Sequence, residues 1–81
     1  MLLDSIVEFY DDDIIIKADG FDEAVIGIDE KSMRLIYSVK KCLDILMVDM
    51  EDMEIAIEYF EYNVINSYIG DKTPIWCWDC F

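Results

Sequence analysis

The stretch "MRLIYSVKKCLDILMVDMEDMEIAIEYFEYNV" (33–64) decides the fold. Met33, Leu35 and Tyr37 alternate with Arg34 and Ile36, the two-residue period of a strand with one buried face, so a strand is expected over 33–38. At Ser38 the period changes. Ser38 suits an N-cap, and Cys42, Leu43, Leu46 and Met50 then fall on one side of a helix running from Val39 to about Met50. Met50-Glu51 forms a short corner. A second helix is predicted from about Asp52 to Ile69, with Gly70 supplying the left-handed residue that ends it.

The second helix carries two apolar stripes. Met53, Ile57 (with Ala56), Phe60, Val64 and Tyr68 make one; Ile55, Tyr59, Tyr62 and Ile69 make the other. One stripe is enough to pack a helix on a sheet. The second is either covered by the preceding helix, the simpler expectation, or exposed and free to bind. Glutamates 51, 54, 58 and 61 lie between the stripes. Like charges three or four apart on a helix repel by roughly 0.2–0.5 kcal/mol per pair. Glu51 and Glu54 are expected in the first turn, where the helix dipole favours acid. Glu58 and Glu61 lie beyond it, and Lys40 and Lys41 are the nearest cations that could offset them.

Outward from this hairpin the signals are shorter. Leu2 to Tyr10 reads as a helix, ended by Asp11-Asp12-Asp13. "IIIKA" (14–18) is β-branched and reads as a strand, and Asp19-Gly20 as a turn. "EAVIGID" (23–29) is a further strand, joined to 33–38 by the turn "EKS". Lys72 and Thr73 must be extended before Pro74, and "PIWCWD" is a last strand. The order α-β-β-β-α-α-β predicts one α+β domain over residues 1–81, with an antiparallel or mixed sheet of three to four strands packed against a helical hairpin and a short N-terminal helix.

Composition supports a folded chain. With 81 residues, size scaling gives a folded surface of about 5,000 Å² and burial of roughly 63% of the chain. Hydrophobic residues make up 56%, which opposes disorder even at a net charge of −13. That charge, about one per 400 Å² of surface, repels DNA, RNA and anionic membranes and draws basic partners. The plain alternative is that it keeps an apolar small protein soluble. Apolar runs such as "CLDILMVDM" are broken by aspartates well short of the ~20 residues of a membrane span. Asp4 follows Met1-Leu2-Leu3 with no basic region before it, so no secretory signal is expected. Three cysteines, an odd number, fit a reducing cytosol better than a disulfide scaffold.

Chemistry-bearing motifs are few. No helix is expected to follow Cys77-x-x-Cys80 and lower a thiol pKa, and with no histidine and Cys42 on a helix face a zinc site within one chain is not expected. A zinc or disulfide shared between two chains is the alternative to two incidental thiols. Asp11–Asp13 lacks the alternating spacing and glycine of a calcium loop. No phosphate-binding glycine pattern is present. The commonest general base, histidine, is missing, and Ser5, Ser32, Ser38 and Ser67 have no recognisable catalytic partners. No catalytic residue, metal ligand or cofactor is therefore predicted.

"GFDEAVIG" (20–27), "YSVKKCLDILM" (37–47), "AIEYFEYNV" (56–64) and "YIGDKTPI" (68–75) resemble a family of small proteins of unknown function encoded by tailed phages and prophages. The resemblance spans about residues 14 to 75 and leaves "WCWDCF" outside. No activity comes with it. It implies a viral gene expressed in a bacterial cytoplasm. Together with the charge, it leads to the expectation of a non-enzymatic inhibitor of a basic host nuclease, defence complex or other nucleic-acid-binding protein. Carboxylates three or four residues apart on a helix lie about 4.5–6 Å apart along the axis, comparable to the ~3.4 Å per phosphate of a DNA strand. The candidate partner-binding residues are Glu54, Glu58, Glu61, Tyr59, Tyr62, Asp11, Asp12 and Asp13. The alternative is a homo-oligomeric assembly protein, a homodimer included, built through the second stripe or the last strand, with no inhibitory role.

Overall fold

The structure is a computed structural model that describes residues 1–10, 15–67, 70 and 72–80. Helix α1 (Leu2–Phe9) is followed by a 3₁₀ turn (Asp22–Ala24), strands β1 (Val25–Asp29) and β2 (Arg34–Ser38), and helices α2 (Val39–Met50) and α3 (Met53–Tyr59). The chain continues through a π turn (Phe60–Val64) and a 3₁₀ turn (Ile65–Ser67) to strand β3 (Ile75–Cys77). This is the expected α+β architecture, and the sheet is three-stranded and mixed.

In the sheet, β2 is central. It pairs antiparallel with β1, where Val25 faces Tyr37 and Gly27 faces Ile36, so Ile26 is the extra residue of a bulge. It pairs parallel with β3, where Tyr37 faces Trp76 and Ser38 faces Cys77. A parallel neighbour cannot be reached by a tight turn. The α2–α3 hairpin is the crossover that brings β3 alongside β2.

Local chemistry sets the hairpin's boundaries. The Ser38 hydroxyl accepts from the Lys41 N–H at 3.1 Å and starts α2, as expected. Glu51 ends it in the left-handed conformation (φ 60°), its N–H reaching the Met47 carbonyl at 3.3 Å. Asp52 then caps α3, accepting from Glu54 N–H at 2.9 Å and Ile55 N–H at 3.4 Å. Glu51 is thus not in the first turn of α3, contrary to expectation. It sits at the C-terminal end of α2, where the dipole disfavours an anion.

The single long helix expected over 52–69 is underwound part-way. Its buried residues are Ala56, Phe60 and Val64, four apart. An α-helix repeats every 3.6 residues, so positions four apart drift round its surface. The π turn, in which the Ile65 N–H bonds to the Phe60 carbonyl, lengthens the repeat and keeps the three in line. The expected inner stripe is adjusted accordingly: Ala56 replaces Met53, which is exposed, and Ile57 is half-buried. Tyr68 and Ile69 lie outside the described residues.

The core joins Leu3 and Ile6 of α1, Phe21, Val25, Leu35, Tyr37, Val39, Cys42, Leu43 and the inner line of α3. Phe60 is its aromatic hub, edge-on to Trp76 at 5.3 Å, Trp78 at 6.0 Å and Phe21 at 6.4 Å. Such pairs add about 0.5–1.5 kcal/mol each beyond area burial. Phe60 therefore ties α3 to β3, to the segment after it and to the turn before β1.

Four strand readings need correction. Glu23 and Ala24 belong to the 3₁₀ turn, so β1 begins at Val25, and β3 covers only Ile75–Cys77, with Pro74, Trp78 and Asp79 outside it. Ile15–Ala18 is not a strand; Ile14 lies outside the described residues. Its buried residues are Ile15 and Ala18, three apart, not two. The Ala18 N–H is bound by the buried Tyr37 hydroxyl at 2.8 Å, in place of a ladder partner. Met33 belongs to the β1–β2 turn with φ 57°, and β2 begins at Arg34. That turn is held by Asp29, which accepts from the Ser32 hydroxyl at 2.7 Å and the Lys31 N–H at 3.3 Å. The Ser32 bond holds the Asp29 carboxyl below its ordinary pKa.

Candidate functional site

The outer face of α3 and the π turn bears five of the eight predicted residues. Glu54, Glu58 and Glu61 are exposed, with Tyr59 at 42% and Tyr62 at 70%. At about 100° per residue along α3, Glu54 and Glu58 lie side by side with Ile55 and Tyr59 on one flank, and Glu61 and Tyr62 continue the exposed face on the π turn. Ile55 is 52% exposed. Ile55, Tyr59 and Tyr62 of the second apolar stripe are therefore open, and α2 does not cover them. The reason is geometric: α2 meets α3 through its inner side, where Leu43 and Cys42 join Ala56 and Phe60 in the core. Asp11, Asp12 and Asp13 lie outside the described residues.

Among the described residues, no cation is paired with a carboxylate of this face. Lys40 Nζ reaches Asp44 Oδ2 at 3.5 Å along α2. Arg34 Nε donates to the Thr73 carbonyl at 2.6 Å, and Lys72 Nζ to the Ser32 carbonyl at 3.1 Å. Those two bonds fasten the approach to β3 onto the β1–β2 turn. Among the described residues, neither Glu58 nor Glu61 has a cationic partner. Glu54 and Asp52 at the start of α3 are stabilised by its dipole. Glu58 and Glu61 lie beyond the first turn and have no such compensation among the described residues.

Beside this face is a cleft of about 320 Å³, bounded by α2, α3 and the Asp19–Phe21 turn. Gly20 makes that turn at φ +88°, a conformation side chains rarely adopt. Tyr59 lines the cleft and also belongs to the exposed face. A second groove, about 390 Å³, lies between α2, α3 and the segment after β3, with Met53, Ile57 and Trp78 on its walls.

The segment after β3 contains a residue that sequence reading passed over. Asp79 accepts from the Ser38 hydroxyl at 2.6 Å and from the Lys40 N–H at 3.0 Å. It completes the N-terminal cap of α2 from 41 residues away. Those two bonds, the Ser38 bond foremost, hold its carboxyl below the ordinary range. Ser38 alone announced a cap; no local pattern could have paired it with Asp79. Cys77 is half-buried at the end of β3, Cys80 is exposed, and both are free thiols. Cys42 is fully buried, and burial, with the Asp79 carboxylate adding to it, pushes its thiol up to about 12. It is a packing residue and not a nucleophile at neutral pH.

Among the described residues, no helix is long and apolar enough to cross a membrane. No family model, curated protein or solved structure matches this chain.

Proposed function

We propose that this protein is a non-enzymatic binder that docks a basic host protein on the outer face of α3. The observation that carries the reading is the pairing on one open surface of the carboxylates Glu54, Glu58 and Glu61, the last two without a cationic partner among the described residues, with the exposed rings of Tyr59 and Tyr62. Carboxylates steer a cationic partner and set its orientation. Tyrosines supply contact area at low entropic cost while keeping their hydroxyls wet. With a net charge of −13, the chain repels nucleic acid, so the fitting partner is a protein that itself binds nucleic acid. The resemblance to small tailed-phage proteins supports a host nuclease or defence complex as target, blocked by an acidic surface in place of its substrate.

The test is affinity capture from bacterial lysate with the wild-type protein and with the Glu58→Lys/Glu61→Lys variant, each eluted with a salt gradient. A partner retained by the wild type, released as salt rises and lost by the variant supports the reading. Equal retention by both proteins, or retention indifferent to salt, defeats it.

A second reading, self-assembly, is favoured by the exposure of Met53 and Trp78 (46%) around the groove between α2, α3 and the segment after β3. Light scattering that gives a monomer at high concentration eliminates it.

A further inference from the structure

We propose that the cleft between α2, α3 and the Asp19–Phe21 turn receives an arginine side chain of the basic partner. The inference rests on the acidic-face reading and adds a specific anchor to it. The cleft has an apolar floor and a polar rim. Phe21 and Val64, both part of the core, contribute to the floor. Asp19 from the turn, Asp49 from α2, and Tyr59 and Asn63 from α3 and its π extension supply the rim.

These features match one side chain better than the others. Arginine can lay its aliphatic stem on an apolar floor while its charged end stays at the rim. Its planar head carries five donors, suited to carboxylates and an amide oxygen arranged around it. A tyrosine ring beside it adds a cation–π contact. Lysine brings a compact charge and three donors, and gains less from a divided rim. An anionic ligand is repelled by Asp19 and Asp49. Asp49 is exposed and has no ion-pair partner among the described residues. Tyr59 joins the cleft to the acidic face, so a partner lying along α3 reaches both surfaces at once.

The test uses two fluorescein-labelled peptides of equal length and charge, one with arginine and one with lysine at every second position, the rest serine. Binding is followed by anisotropy at low ionic strength. The wild-type protein is expected to hold the arginine peptide roughly ten-fold more tightly. Asp49→Asn, an isosteric change at an exposed site, should erase that preference while altering lysine-peptide affinity less than about two-fold. Amide shifts in the Asp19–Phe21 turn and at Asp49 should accompany the arginine peptide only. Equal affinity for the two peptides, or an Asp49→Asn variant that weakens both alike, overturns the arginine site and leaves the acidic face standing. Cleft shifts that appear on concentrating the protein alone assign the cleft to a second copy and also overturn it. If neither peptide binds, the acidic-face reading falls, and the arginine site with it.

Discussion

The two sides of α3 share a backbone but answer to different constraints. The inner side, Ala56, Phe60 and Val64, touches the sheet, α2 and the C-terminal segment, and the helix underwinds to keep those three residues in line. The outer side, Glu54, Glu58, Tyr59, Glu61 and Tyr62, is exposed to solvent, and its carboxylates go unneutralised among the described residues. One face is shaped by contacts within the chain. The other gathers like charges three and four residues apart with no cationic partner among the described residues, which is why it is the place to look for a partner.

If that contrast is sound, stability should collapse for inner changes and stay nearly constant for outer ones. Phe60→Ala is expected to cost about 3–5 kcal/mol in urea denaturation, since it empties the hub of the aromatic cluster. A loss under 1 kcal/mol would mean the helix does not anchor the core. Tyr37→Phe should cost about 1–3 kcal/mol, because it strands the buried Ala18 N–H while keeping the ring. Hydrogen exchange at Ala18 should accelerate with it.

The cap of α2 comes next. Ser38→Ala is expected to lose about 1 kcal/mol. Asp79 adds a pH signature. Its carboxyl titrates lower in the folded protein than the ordinary 3.8, so its contribution is present above that value and is lost as pH falls through the folded value. Denaturation across pH should therefore show a shallower acid limb for Asp79→Asn than for wild type; Asp29, shifted in the same direction, keeps part of the slope in both.

Glu51→Gly should stabilise the protein by about 0.5–1 kcal/mol, since Glu51 holds a left-handed conformation and sits at the negative end of α2. A destabilised variant would reveal a contact at Glu51 that outweighs both penalties. The smallest change is expected for Glu58→Gln with Glu61→Gln, within about 0.5 kcal/mol of wild type. The same pair should weaken capture of a basic partner. A large stability loss there would show that the outer face is structural after all.

Much of the fold was legible because its signals are local. Ser38 and the spacing of Cys42, Leu43, Leu46 and Met50 placed α2 correctly at both ends, since a cap and a helical period depend on neighbours three or four residues away. Ile15–Ala18 was misread because β-branched composition reports a half-buried extended chain and not who pairs with it. The deciding group was a hydroxyl 19 residues away. The π turn was illegible for a related reason. Spacings of three and four are both tolerated by an α-helix, and only the contact with the core selects a repeat of four.

The candidate face divides the same way. The sequence could say that Glu54, Glu58, Glu61, Tyr59 and Tyr62 share one side of a helix. It could not say whether α2 lies over them, nor that Asp19, Asp49 and Asn63 converge beside Tyr59 from three separate segments.

By itself, then, the sequence determined the net charge, the Ser38 cap, the period and bounds of α2, and the turn at Asp19-Gly20, because each is a property of the chain or of residues close along it. Tertiary structure alone decided the parallel seat of β3, the Asp79 cap, the exposure of the outer stripe and the cleft. Those depend on which distant surfaces meet, and that is set by how the whole core packs.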